Sequence, residues 1–168
     1  TGQRNSRERK NRKRKITFMD TRSPIEIRAL RYLAQREYSR RELEQKLAAN
    51  RDSLATETLT AVLDKLEQQG FLSEQRMVEQ VARTRRSRFG SQRIVHELKT
   101  KGIDGHLIDG ILPALKETEL EAALNIWRKK FDHPPATREE RGKQTRFMMN
   151  RGFSMETIQQ VLSHASEE

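Results

Sequence analysis

The sequence predicts an all-α protein: three tandem three-helix repeats forming an elongated, curved solenoid, with a disordered basic arm at the N-terminus. Three observations lead there. Apolar residues recur at helical spacing in nine short segments. Each segment is bounded by residues that start or stop helices. A glycine, an apolar residue and a helix cap recur together once in each of three groups of helices. No strand-like alternation of convincing length competes with these signals.

The first repeat is expected over residues 23–72. Ser23-Pro24-Ile25-Glu26 is a strong helix start, with a capping hydroxyl, proline at the first helical position and an acid in the first turn. Ile27, Leu30, Leu33 and Ala34 supply its apolar stripe. Ser39 with Glu42 opens a second helix carrying Leu43 and Leu47. After the polar break Asn50-Arg51-Asp52, Thr56 caps a third, with Leu59, Val62, Leu63 and Leu66 inside and Gly70 as its stop.

The second repeat is expected over 73–115. Ser73 caps a helix carrying Met77, Val78, Val81 and Ala82, and Phe89-Gly90-Ser91 breaks the chain. Ile94, Val95 and Leu98 form the next stripe, stopped by Gly102. Asp104 caps the following helix, with Leu107, Ile108, Ile111 and Leu112 inside and Pro113 near its frayed end. The third repeat is expected over 116–168. Thr118 and Glu121 are placed for a capping box, ahead of Leu120, Ala123, Leu124 and Trp127. His133-Pro134-Pro135 is a firm break. Thr137 and Glu140 make another capping box, Phe147 and Met148 precede the Gly152 stop, and Ser154 caps a last helix with Ile158, Val161 and Leu162.

The recurring turns are Gly70-Phe71-Leu72-Ser73, Gly102-Ile103-Asp104 and Gly152-Phe153-Ser154. Glycine takes the left-handed conformation that ends a helix, the next apolar side chain folds back, and the cap starts a new direction. The repeat is degenerate, because the glycine ends the third helix of the first group but the second helix of the others. Ordinary helix punctuation would be the plainer explanation.

Composition agrees with units stacked in series. Only 33% of residues are hydrophobic and 5% aromatic, too few for one thick core. The net charge of +10 is concentrated at one end: residues 1–24 hold nine Lys/Arg against two acids. Arg9, Lys10, Arg12, Lys13, Arg14 and Lys15 make this arm, taken as residues 1–22, a polyanion binder of the nucleic-acid kind or merely a solubilising leader. The absence of cysteine excludes disulfides, thiolate zinc sites and cysteine nucleophiles, and fits a cytoplasmic location. No apolar run is long enough to span a membrane, and the arm has no apolar signal-peptide core. Four scattered histidines and no phosphate-binding glycine loop leave no metal, cofactor or catalytic residue to propose.

Several stretches resemble the RecX family. They are Ser39-Arg40-Arg41-Glu42-Leu43; Leu66-Glu67-Gln68-Gln69-Gly70-Phe71-Leu72; Arg83-Thr84-Arg85-Arg86-Ser87-Arg88-Phe89-Gly90 with Ile94, Glu97-Leu98 and Lys101-Gly102-Ile103; and Lys129-Lys130 with Arg151-Gly152-Phe153-Ser154, Ile158 and Val161-Leu162. The resemblance covers about Ile25 to Leu162. Ser73-Glu74 stands where the family has paired acids, and Met77-Val78 where it has Phe-Ala. It implies a crescent of three repeats, non-enzymatic and monomeric. It also implies a place in the groove of a RecA–DNA filament, altering filament stability, ATP turnover and strand exchange in DNA repair, recombination and the SOS response.

Two basic sets are candidates for that contact. Arg83, Arg85, Arg86, Arg88 and Arg93 form a patch around a helix end and turn, suited to phosphates and carboxylates alike. Arg128, Lys129 and Lys130, with Arg138, Arg141, Lys143, Arg146 and Arg151, come from two successive helices. Either set is a contact to filament or nucleic acid, or else a solvated basic face. Trp127 reads as core rather than a base-stacking platform, and Phe89 reads as packing. The competing functional reading is a direct nucleic-acid binder, using helix-turn-helix-like units and the arm, with weak affinity for single- and double-stranded DNA.

Overall fold

The computed structural model describes residues 22–49 and 56–167, and all the regular structure among them is helical. The nine helices there are α1 (Pro24–Gln35), α2 (Arg40–Ala49), α3 (Thr56–Gln68), α4 (Glu74–Arg85), α5 (Ser91–Thr100), α6 (Gly105–Glu117), α7 (Glu119–Lys130), α8 (Arg138–Asn150) and α9 (Met155–Glu167). They fall into two compact units. One comprises the described residues up to Arg36 together with Leu43–Leu72; the other comprises Glu37–Glu42 and Ser73 onward. The basic arm, and the break at Asn50-Arg51-Asp52, lie outside the described residues.

In the first unit, Ser23 accepts a bond from the Glu26 amide and Pro24 opens α1, as its sequence dictates. The buried face of α1 differs from the expected stripe. Ile25, Glu26 and Ala29 are buried, while Ile27 is 38% exposed and Ala34 faces solvent. Glu26 tolerates burial because Lys65 of α3 reaches it at 2.9 Å and Arg22 lies at 3.8 Å. Leu43, Leu47, Leu59, Val62, Leu63 and Leu66 are buried as their spacing requires.

The second unit has two cores. Met77, Val78, Val81, Ala82, Ile94, Leu98 and Ile108 build the first from α4–α6. Ala123, Trp127, Met148, Phe153, Ile158 and Val161 build the other from α7–α9. Each large apolar side chain removed from water there stabilises the fold by roughly 1.5–3 kcal/mol. Trp127 is core: its indole N–H donates to Gln144 Oε1 at 2.8 Å, and the Gln144 amide donates to the His133 carbonyl at 3.2 Å, tying the proline break to α8. The segment Glu37–Glu42 is bound into this unit. Ser39 and Glu42 form a reciprocal capping box, Ser39 Oγ donates to the Lys101 carbonyl at 2.6 Å, and Lys101 Nζ pairs with Glu42 at 2.6 Å.

Ser73, Asp104, Thr137 and Ser154 all cap as expected. In the Thr137 box, the Ala136 amide and then the Thr137 amide donate to Glu140, which holds its carboxyl below the ordinary value. Two expectations at α6 and α7 fail. Pro113 lies inside α6, not at its end. Its ring removes the bond to the Asp109 carbonyl, but both residues are exposed, so water can serve that carbonyl. The helix continues because Leu115 beyond it is buried in the core. Thr118 makes no side-chain cap, because one residue must serve as both the end of α6 and the start of α7.

The three glycine turns share one geometry. Gly70, Gly102 and Gly152 have φ of 76°, 76° and 88°. After each, the next amide reaches back to a buried residue of the finished helix: Phe71 to Leu66, Ile103 to Leu98, Phe153 to Met148. Ile103 and Phe153 fold back as expected. Phe71 does not: it is 44% exposed, and Leu72 is buried in its place. Gly90 is a different kind of glycine. Its φ is −73°, open to any residue, and what it supplies is space.

Candidate filament and nucleic-acid interface

The start of α5 meets the end of α8. The Gly90 amide donates to the Arg151 carbonyl at 2.8 Å and the Gln92 amide to the Gly152 carbonyl at 3.2 Å. Amides orphaned at one helix start thus satisfy carbonyls orphaned at another helix end, positive dipole end to negative. The approach is so close that a Cβ on Gly90 would overlap the Gly152 carbonyl, and a Cβ on Gly152 would overlap Arg93.

Glu119 completes the junction. It is 8% exposed, and its carboxylate accepts from the Ser91 amide at 2.7 Å, Ser91 Oγ at 2.9 Å and Thr157 Oγ1 at 3.4 Å. It therefore caps α5, whose own N-cap, Gly90, has no side chain. Spacing within the chain gave no sign of this, because the partners lie 28 and 38 residues away. The one clue was an uncapped start at Gly90-Ser91.

On this frame sits a cluster of cations and rings. The Arg93 guanidinium lies 4.3 Å from the centre of the Phe89 ring, Arg151 5.7 Å and Arg88 5.9 Å. Arg151 also lies 5.3 Å from the Phe147 ring and Lys130 Nζ 5.9 Å from it. Phe147 in turn meets Phe131 edge to face at 5.3 Å. Arg93 donates to the Asn150 carbonyl at 3.0 Å and Arg151 to the Arg88 carbonyl at 3.4 Å, so each turn is held by an arginine of the other. Among the described residues no carboxylate lies within ion-pair distance of Arg88, Arg93, Lys130 or Arg151. Cation–ring contacts contribute about 0.5–1 kcal/mol each at such exposed sites and leave the charges available to an anion.

The structure thus brings together Arg88, Arg93, Lys130 and Arg151 from the two basic sets. It separates others. Arg85 is held by Glu97 through two bonds, at 3.1 and 3.3 Å. Arg83 is exposed on α4, and Arg86 caps its end with a buried Nε that has no hydrogen-bond partner. Arg128 and Lys129 are exposed in the last turn of α7, where cations complement the helix dipole. Arg9, Lys10, Arg12, Lys13, Arg14 and Lys15 lie outside the described residues. Phe147 was missed as a site residue, because its role depends on Arg151 and Lys130 converging on it.

This is a helical repeat protein with a cluster of cations gathered on two aromatic rings. Among the described residues, no group of three or more acids and histidines could hold a metal. No helix there is long and apolar enough to cross a membrane. Residues 73–112 match the model for the second three-helix domain of RecX, and residues 117–162 the model for its third. The regulatory protein RecX of Leptothrix cholodnii is 48% identical over 141 residues, covering 84% of this chain and 88% of that protein. The regulatory protein RecX of Herbaspirillum seropedicae is 42% identical over 146 residues, covering 86% and 94%. The crystal structure of RecX from Lactobacillus salivarius superposes with a TM-score of 0.74 over 86% of this chain and 96% of that one; at 21% identity this likeness is one of fold. The chain belongs to the RecX family of regulatory proteins.

Proposed function

We propose that this protein binds the filament of RecA on single-stranded DNA and restrains its ATP turnover, extension and strand exchange, acting in recombination and repair in the cytoplasm without chemistry of its own. The observation that carries the reading is the junction cluster: Arg88, Arg93, Lys130 and Arg151 gathered on Phe89 and Phe147 without an internal carboxylate. A filament offers phosphates and acidic side chains along one groove, and fixed guanidiniums suit both. Membership of a regulatory family supports the same reading.

The test is single-stranded-DNA-dependent ATP hydrolysis by the cognate RecA, with this protein titrated in. A fall at well below one protein per RecA is expected. No change, alongside salt-sensitive binding to naked DNA, would favour the direct nucleic-acid binder instead. Charge reversal at Arg88 and Lys130 should raise the half-inhibiting concentration about tenfold. Neither side chain makes a hydrogen bond among the described residues, so the fold should be untouched. Deleting residues 1–22 is expected to weaken binding to free DNA while leaving filament regulation largely intact.

A further inference from the structure

Two glutamates are buried among the described residues, and only one of them has a counter-ion. Glu26 is met by Lys65 at 2.9 Å and by Arg22 at 3.8 Å. Glu119 is met by neutral donors alone: the Ser91 amide, the Ser91 hydroxyl and the Thr157 hydroxyl. Among the described residues no cation lies within ion-pair distance of it. Buried charges are as a rule paired, because desolvation without a partner is costly. A carboxylate also has about four acceptor positions, and Oε2 of Glu119 receives only the Thr157 hydroxyl, at 3.4 Å. Capping of α5 therefore accounts for where Glu119 stands but leaves its charge unmatched.

Glu119 opens on a cavity of about 490 Å³ between α5, α6, the start of α7 and α9. That size falls within the range of small-molecule sites, roughly 300–1,000 Å³. Ser91, Glu119 and Thr157 are its buried floor. Val95 and Leu112, both half-buried, line its side. Lys116 and Glu156 stand exposed at its rim, and neither is ion-paired among the described residues. A carboxylate at the bottom, an apolar side and a charged rim together fit an aliphatic stem that ends in a cation. A metal ion fits poorly: Glu119 and Glu156 are the only acids in the lining, and no group of three acids and histidines gathers among the described residues.

We propose that this cavity takes an arginine or lysine side chain of a protein partner, its stem along Val95 and Leu112 and its head donating to Oε2 of Glu119. A charge-assisted bond there supplies the counter-ion that Glu119 lacks. Glu156 adds a second carboxylate at the mouth. Lys116 selects the kind of molecule. It repels the far charge of a free diamine, whereas it can donate to a main-chain carbonyl beside an inserted side chain. The cation cluster on Phe89 and Phe147 offers guanidiniums to anions; this cavity offers a carboxylate to a cation. The assignment does not depend on the function proposed above.

The full chain, isotope-labelled, would be titrated with N-acetyl-arginine methylamide and followed by the amide resonances of Ser91, Gln92 and Thr157. N-acetyl-citrulline methylamide, of the same shape without the charge, and putrescine serve as comparisons. The arginine compound is expected to shift these amides saturably in the millimolar range, with citrulline and putrescine about tenfold weaker. Glu119→Gln should weaken binding about tenfold, but it also loosens the junction. Leu112→Trp therefore carries the test: it fills the cavity from a half-buried position, leaves the bonds of the floor intact, and should lose binding to the same degree. Should that variant fail to fold, Glu156→Gln, at an exposed position, should still weaken binding about threefold. The proposal is overturned if no saturable shift occurs, if citrulline binds as well as arginine, or if binding survives both Leu112→Trp and Glu156→Gln undiminished. Tighter binding of putrescine would overturn it too, and would give the cavity to a free diamine.

Discussion

The turns at Gly70 and Gly152 look alike in sequence and share a backbone conformation, yet they meet different surroundings. Both have positive φ, and both return the following amide to a buried residue of the finished helix. Around Gly70 nothing lies within 4 Å of where a Cβ would stand. Around Gly152 the same Cβ would overlap Arg93. One turn requires glycine for its dihedral alone; the other requires it for its dihedral and for another helix. A local motif can therefore be reused as an interface only if its glycine does both jobs.

The largest effect should come from Gly152→Ala. Left-handed strain and overlap with Arg93 act together, for a loss of about 4 kcal/mol. Trp127 is the single tryptophan and lies in the core beside this turn, so its fluorescence during denaturant unfolding reads the change directly. A loss no greater than that of Gly70→Ala would erase the distinction between the two turns. Gly90→Ala sharpens it from the other side. At φ of −73° alanine is unstrained, so any loss comes from overlap with the Gly152 carbonyl. About 3 kcal/mol is expected, with faster hydrogen exchange at the Gly90 and Gln92 amides.

Glu119→Gln should rank third, at about 2 kcal/mol. The substitution keeps the shape but replaces one acceptor by a donor, and Ser91 and Thr157 offer donors to both oxygens. Unfolding followed by Trp127 fluorescence checks it. A neutral outcome would mean that the backbone bonds between Gly90 and Arg151 and between Gln92 and Gly152 hold the junction unaided.

These cases mark where the sequence was legible. Helix starts at Ser23, Ser39, Ser73, Asp104, Thr137 and Ser154, and the three left-handed glycines, follow from interactions spanning a few residues, and the sequence displays them. The buried stripes of α3 and α4 were equally plain, because one face of a helix fixes its period. What failed depends on distance along the chain. Glu119 reads as a first-turn acid until Ser91 and Thr157 are brought to it. Arg85 and Arg88 read alike, but the packing of α5 sets Glu97 against Arg85 and leaves Arg88 on Phe89. Pro113 reads as a helix end, but burial of Leu115 outweighs the one bond it removes.

The smallest effect, and the cleanest control, is Gly70→Ala. Alanine in the left-handed region is destabilised by about 1 kcal/mol, and no atom within 4 Å adds to that. The loss should appear as faster exchange at the Phe71 and Leu72 amides, both of which donate to the Leu66 carbonyl. Asparagine tolerates positive φ better than alanine does, so Gly70→Asn should recover part of the loss. Gly152→Asn should not, because its Cβ still overlaps Arg93. If asparagine rescued both sites equally, the dihedral would be the whole requirement at each, and the contact of Gly152 with Arg93 would carry no weight.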